Sequence, residues 1–127
     1  MTTLSIDLGA SNIRSAIVDS TKIRDKLSVP TPKTRKQILS ALFQLIKTYK
    51  KPGKICVSIA GFESKGSIKG SRNMDFKKVP LKSILKKKYN LPVFIENDAN
   101  CAALAELYYG KGKGKKNFVL LTLGTGI

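Results

Sequence analysis

Two rhythms of apolar residues run along this chain, and the first gives way to the second after Pro32. Leu4–Leu8 is a short run rich in apolar residues and reads as a strand that Gly9 and Ala10 end in a tight turn. Ile13–Val18 reads as a second strand, with Asp19 and Ser20 as its turn, and Lys22–Val29 as a weaker third. Strands joined by turns this short must pair antiparallel, so the chain opens with a three-stranded meander. Pro30 and Pro32 then break the pattern. Ile38, Leu42, Leu45 and Tyr49 recur at helical spacing, with Leu39, Phe43 and Ile46 on the adjoining stripe. Pro52 and Gly53 stop this helix. Lys54–Ala60 is apolar from Ile55 onward, which predicts a central strand buried on both faces.

Gly61, Gly66 and Gly70 mark a loop or small hairpin. Leu81, Ile84 and Leu85 predict a short second helix with Pro80 in its first turn, and Pro92–Ile95 a fifth strand. Asn97 is placed to cap a third helix, Asp98 to about Tyr109, dense in alanine. After a Lys/Gly loop, Phe118–Leu123 reads as a sixth strand. The order of elements predicts an α/β fold with a mixed sheet, antiparallel on one side and parallel with helical crossovers on the other.

Composition narrows the function classes. No apolar run approaches the roughly 18 residues of a membrane helix. Residues 1–7 lack the basic and apolar parts of a signal peptide, so a cytoplasmic location is the default expectation. Cys56 and Cys101 show no metal-ligand spacing and read as buried free thiols. With no histidine, His-based acid–base chemistry and His-ligated metals are excluded within this chain. The formal charge of +16 favours polyanions, but the charge is almost all lysine, which suits phosphates better than base edges. The lysines read as a solvated surface, the aromatic residues as mostly core, and any nucleic-acid binding as nonspecific.

Three segments could carry chemistry. In Asp7-Leu-Gly9-Ala-Ser11-Asn12 a glycine turn aims backbone amides, Ser11 and Asn12 at an anion, and Asp7 suits a hydrated magnesium ion. Alone, this is also what a plain hairpin turn looks like. Gly124-Thr125-Gly126 follows a predicted strand and permits close approach of a phosphate. Glu96-Asn97-Asp98-Ala99-Asn100 puts a carboxylate in the first turn of a helix, at the end of the sheet where α/β folds bind ligands. Capping by Asn97 alone would leave the extra acid and the second asparagine partly unexplained.

Together, "IDLGASNIRSAIVD", "VPTP", "VSIAGF", "PVFIENDANCAALAE" and "NFVLLTLGTGI" resemble, in order and spacing, the N-terminal half of a ROK-family sugar kinase, glucokinase-like. The resemblance implies a ribonuclease H-like, actin-like ATPase fold. It implies that Asp98 is the catalytic base that accepts the proton of the sugar hydroxyl, and that Asn97 and Gly61 also border the sugar. Asp7 would place magnesium indirectly, through water. Gly9, Ala10, Ser11 and Asn12 would border the ATP phosphates, with Gly124 and Thr125 at a second phosphate contact. ATP and Mg²⁺ are the implied cofactors, and the family's zinc-binding cysteine cluster is not in this chain. The chain departs from the family where Gly-Thr-Lys is usual and Ala10-Ser11-Asn12 stands, and at Ala60, where a proline is usual.

On this reading residues 1–116 are the N-terminal domain and 117–127 the first strand of a second domain. The expected function is transfer of the γ-phosphate of ATP to a hexose or N-acetylhexosamine. Activity would require a C-terminal half, and residues 117–127 would bind that half or self-associate. The alternative is a non-enzymatic module derived from the same fold, which associates with a partner chain or polyanion.

Overall fold

The computed structural model describes every residue except Thr21, Arg72 and residues 124–127. Alternating apolar residues build β1 (Thr3–Leu8) and β2 (Asn12–Asp19), which pair antiparallel, and β3 (Lys22–Pro30) pairs antiparallel with β2. The chain then crosses through α1 (Arg35–Lys47) to β4 (Lys54–Ile59), parallel to β1. A hairpin of β5 (Phe62–Ser64) and β6 (Ser67–Gly70) follows. The next crossover, α2 (Leu81–Tyr89), leads to β7 (Val93–Asn97), parallel to β4, and α3 (Asp98–Tyr109) follows directly. The main sheet has the order β3-β2-β1-β4-β7, the expected mixed sheet.

One face of the sheet makes the core. Leu4, Ile6 and Leu8 of β1 and Ile55, Val57 and Ile59 of β4 are buried beside Ile38 and Leu42 of α1 and Leu81 and Leu85 of α2. Each fully buried side chain of this kind contributes about 1.5–3 kcal/mol. Thr34 caps α1 by accepting from the Gln37 amide, and Asn90 ends α2 in the left-handed conformation at φ 52°. Tyr49 lies beyond the end of α1 but remains buried; its hydroxyl pairs with Ser15 at 2.7 Å and donates to the Asp25 carbonyl at 2.9 Å.

The structure corrects four expectations. β4 is central but buried on one face only, because Cys56 and Ser58 alternate with its core residues. Both cysteines are therefore half-buried, Cys56 on the second face and Cys101 on α3. Phe118–Leu123 forms no strand: apolar residues alone do not make one, and no described strand offers this segment a hydrogen-bonded ladder. Nor are the aromatics mostly core, since Phe62, Phe94, Tyr108, Tyr109 and Phe118 are all exposed.

Candidate active site

Parallel strands β1, β4 and β7 end at one edge of the sheet, and three segments meet there. The first is the turn between β1 and β2. The Gly9 amide donates to the Asn12 carbonyl at 3.1 Å, and a Cβ at Gly9 would stand only 2.9 Å from that oxygen. A side chain there would push the turn apart. Thr31 pins the loop from outside: its hydroxyl donates to the Gly9 carbonyl at 2.7 Å and its amide to the Ser11 carbonyl at 3.0 Å. The threonine between Pro30 and Pro32 thus fixes the turn's shape, a role that its sequence position did not disclose. Ser11 is exposed, and Ala10 and Asn12 are half-buried.

The second segment follows β4. A Cβ on Gly61 would collide with the Gly70 carbonyl, so glycine is required where the hairpin returns beneath it. Buried Ser71 donates to the Ala60 carbonyl at 2.8 Å and holds that return in place.

The third is the junction of β7 and α3. Asn97 caps the helix by accepting from the Asn100 amide at 3.1 Å, and its Nδ2 donates to the Gly61 carbonyl at 3.0 Å. Each end of this amide keeps further capacity for a ligand. Glu96 accepts from the Asn97 amide at 2.8 Å and from Asn100 Nδ2 at 2.9 Å. The Asn100 hydrogen bond, then that of the Asn97 amide, hold the Glu96 carboxyl below its ordinary range despite slight desolvation. The two acids of the segment therefore divide the work. Glu96 ties the junction together. Asp98, exposed, accepts from the Ala99 amide at 2.8 Å through one oxygen, and its other oxygen has no protein hydrogen bond among the described residues.

The three segments enclose a cleft of about 250 Å³ whose lining includes Ala10, Gly61, Ser71, Asn73 and Asp98. Asp98, Gly61 and Ala10, expected from the sequence, are thereby brought together, and Asn97 touches this group through Gly61. Ser71 and Asn73 are additions; they sit in an irregular stretch after β6 that has no periodic signal. Asp7 does not line this cleft. It accepts from Ser58 at 3.4 Å and lines a separate groove of about 450 Å³ with Arg14. Gly124 and Thr125 lie outside the described residues. Helix α3 lies against β4 and β7. Burial raises the Cys101 thiol and Ser58 opposes the rise. Among the described residues no group of three or more acids or cysteines could hold a metal ion.

Against known proteins, the profile of the ROK family matches residues 3–127. The chain belongs to the ROK family. It is 33% identical to a glucokinase of Streptomyces coelicolor over 98% of this chain and 41% of that protein. The fold matches a ROK-family glucokinase of Streptomyces griseus in complex with glucose and AMPPNP, with TM-score 0.81, 28% identity, and coverage of 90% of this chain and 38% of that one. It also matches a Listeria monocytogenes protein described as a putative N-acetylmannosamine kinase, with TM-score 0.81, 31% identity, and coverage of 88% and 40%. Those structures share the actin-like ATPase fold of ROK kinases, as the resemblance implied. This ROK chain spans about two fifths of the length of the glucokinase it matches.

Proposed function

We propose that this ROK chain carries the base and the first phosphate loop of an ATP-dependent sugar kinase. The γ-phosphate would pass to a hydroxyl of a hexose or N-acetylhexosamine. The observation that carries this reading is the Asp98 carboxylate, held at the start of α3 in the cleft that Ala10 and Gly61 also line. Placed in the first turn of the helix, the carboxylate aligns the attacking hydroxyl and takes its proton. Asn97, with spare capacity at both amide ends, orients the same sugar. Ser71 and Asn73 give the cleft further polar groups.

Gly9–Asn12 form the phosphate loop, and their shape supports that role: a glycine turn pinned by Thr31, with Ser11 open to solvent. Magnesium fits Asp7. A single half-buried carboxylate beside a phosphate loop suits an ion that keeps most of its waters and takes its remaining ligands from the substrate phosphates. Bound there, the ion would neutralise phosphate charge, and Gly124 and Thr125 would supply the second phosphate contact. In phosphoryl transfer such positioning and charge stabilisation is most of the catalysis.

The site is one wall of a two-walled cleft. Relatives more than twice as long support the expectation that residues 1–116 act with a C-terminal half and that 117–127 engage it or a second copy. Val119, Leu121 and Leu123 are 85%, 73% and 78% exposed, an apolar strip that favours cover. A cytoplasmic location fits ATP use, and no helix among the described residues is long and apolar enough to cross a membrane. The test is a coupled ADP-release assay across hexoses and N-acetylhexosamines, with this chain alone and joined to the C-terminal half of a ROK glucokinase. Turnover only in the joined protein supports the reading, and sugar-dependent turnover by the chain alone contradicts the need for a second wall.

A further inference from the structure

The register of the sheet lines up a row of polar residues on the face turned away from the core. Ser28, Arg14, Asp7, Ser58 and Glu96 are successive partners across β3, β2, β1, β4 and β7. Along β2, β1 and β4 their chain neighbours are buried, which puts the row on the second face. Glu96 stands two residues before Asp98. Asp7 and Arg14 are directly opposite in an antiparallel pair, which brings their Cβ atoms to about 5 Å, and both line the groove of about 450 Å³. Arg14 is exposed and makes no ion pair among the described residues. Around it the charges are unbalanced: Asp7, Glu96 and Asp98 are acids, and Gly9–Asn12 carry no charge. Lys33, Arg35 and Lys36 stand at the start of α1, which packs on the core face, and Lys26 lines the groove from β3, two strands from Asp7. Arg14 is the base beside Asp7.

We propose that Arg14 binds the β-phosphate of ATP and stabilises the charge that gathers there as the γ-phosphate leaves. The inference rests on the sugar-kinase reading of the cleft and names a residue which that reading did not use. In the transfer, the sugar oxygen bonds to the γ-phosphorus while the bond from that phosphorus to the β–γ bridging oxygen breaks. The electron pair of the broken bond stays on ADP, and the hydroxyl proton passes to Asp98. Attacking and leaving oxygens lie roughly in line, so charge develops at the end away from the base. The row offers both ends of such a line. Glu96 leads into Asp98 at one end, Asp7 stands between, and Arg14 is at the other, about 14 Å from Glu96 along the backbone at about 4.8 Å per strand. Ser58 donates to Asp7 at 3.4 Å from the side away from Arg14, which leaves the guanidinium free for an anion. Its planar fork matches two phosphate oxygens, and its place on a strand fixes it before charge develops.

The test uses the chain joined to the C-terminal half of a ROK glucokinase, with Arg14→Gln, Arg14→Lys and, as a control of equal charge, Arg24→Gln on exposed β3. Thermal melts confirm that all are folded. Arg14→Gln should lower turnover by about 10²- to 10³-fold with the KM for sugar within a few-fold, and Arg14→Lys should recover part of the loss because the charge returns without the fork. Calorimetry with ADP and magnesium gives a readout independent of turnover: Arg14→Gln should bind ADP about ten- to a hundredfold more weakly, AMP affinity should not change, and Arg24→Gln should match wild type in both. Turnover of Arg14→Gln within a few-fold of wild type overturns the assignment of Arg14 and leaves the kinase reading standing. Absence of sugar-dependent turnover in the joined wild type contradicts the kinase reading, and the calorimetry then decides on Arg14: selective loss of ADP binding upholds its phosphate contact, while equal ADP affinity, or no ADP binding by wild type, overturns it.

Discussion

Helices α1 and α3 are nearly equal in length and differ in almost everything else. α1 buries Ile38, Leu42, Leu45 and Ile46 along one stripe, whereas α3 buries no residue at all. Leu104, Tyr108 and Tyr109 of α3 are 48%, 63% and 83% exposed. Tertiary packing holds α1, as amphipathic helices require. What fixes α3 is concentrated at its start, where Glu96, Asn97 and Asn100 lock the junction that presents Asp98. One helix builds the domain and the other carries the candidate site, so damage to the two should show in different measurements.

The largest stability effect should come from α1. Leu42→Ala should cost about 2–5 kcal/mol by chemical denaturation, since Leu42 is fully buried. A loss below about 1 kcal/mol would mean that α1 does not anchor the core.

The contrast was only half legible in the sequence. The stripe of α1 is strong enough to read directly, and the opening meander follows from short turns between apolar runs. In α3 the alanine-rich composition predicts a helix but not what it packs on, and the helix has no marked apolar side. The site divides in the same way. Asp98 and Gly61 stand in motifs. Thr31 stands in a motif too, but its tie to the Gly9 turn, like the placing of Ser71 and Asn73, arises because loops fold over the sheet edge, and irregular loops leave no period in the chain. Phe118–Leu123 misled because a strand is defined by its neighbour, and among the described residues it has none.

Next in size is Asn97→Ala, which removes the cap of α3 and the tie to Gly61. It should cost about 1–2 kcal/mol, with most of the loss local to α3 in hydrogen exchange. Uniform loss across α1 and α3 would refute a separately fixed site helix.

Smaller again is a pH effect. The folded state holds the Glu96 carboxyl below its unfolded value of about 4.3, so Glu96 adds stability above that value. The contribution is lost as pH falls through the lowered folded value. Glu96→Gln should therefore flatten the acid limb of the stability curve below about pH 4.3 and leave stability at pH 9 changing little with pH. An acid limb identical to wild type would show that the hydrogen bonds to Glu96 do not discriminate its charge. Least of all should be Leu104→Ala, within about 0.5 kcal/mol in this chain by thermal melt because the side chain is half in solvent.

The most direct test of the division between the two helices is Asp98→Asn in the chain joined to the C-terminal half of a ROK glucokinase, with turnover and thermal melt measured on the same sample. The amide keeps the size of the side chain and can still accept from the Ala99 amide, but it can neither carry the charge nor take the proton. A general base predicts turnover lower by about 10²- to 10⁴-fold with sugar affinity nearly unchanged and stability altered by about 1 kcal/mol or less. Turnover within a few-fold of wild type would contradict the assignment of Asp98 as the base.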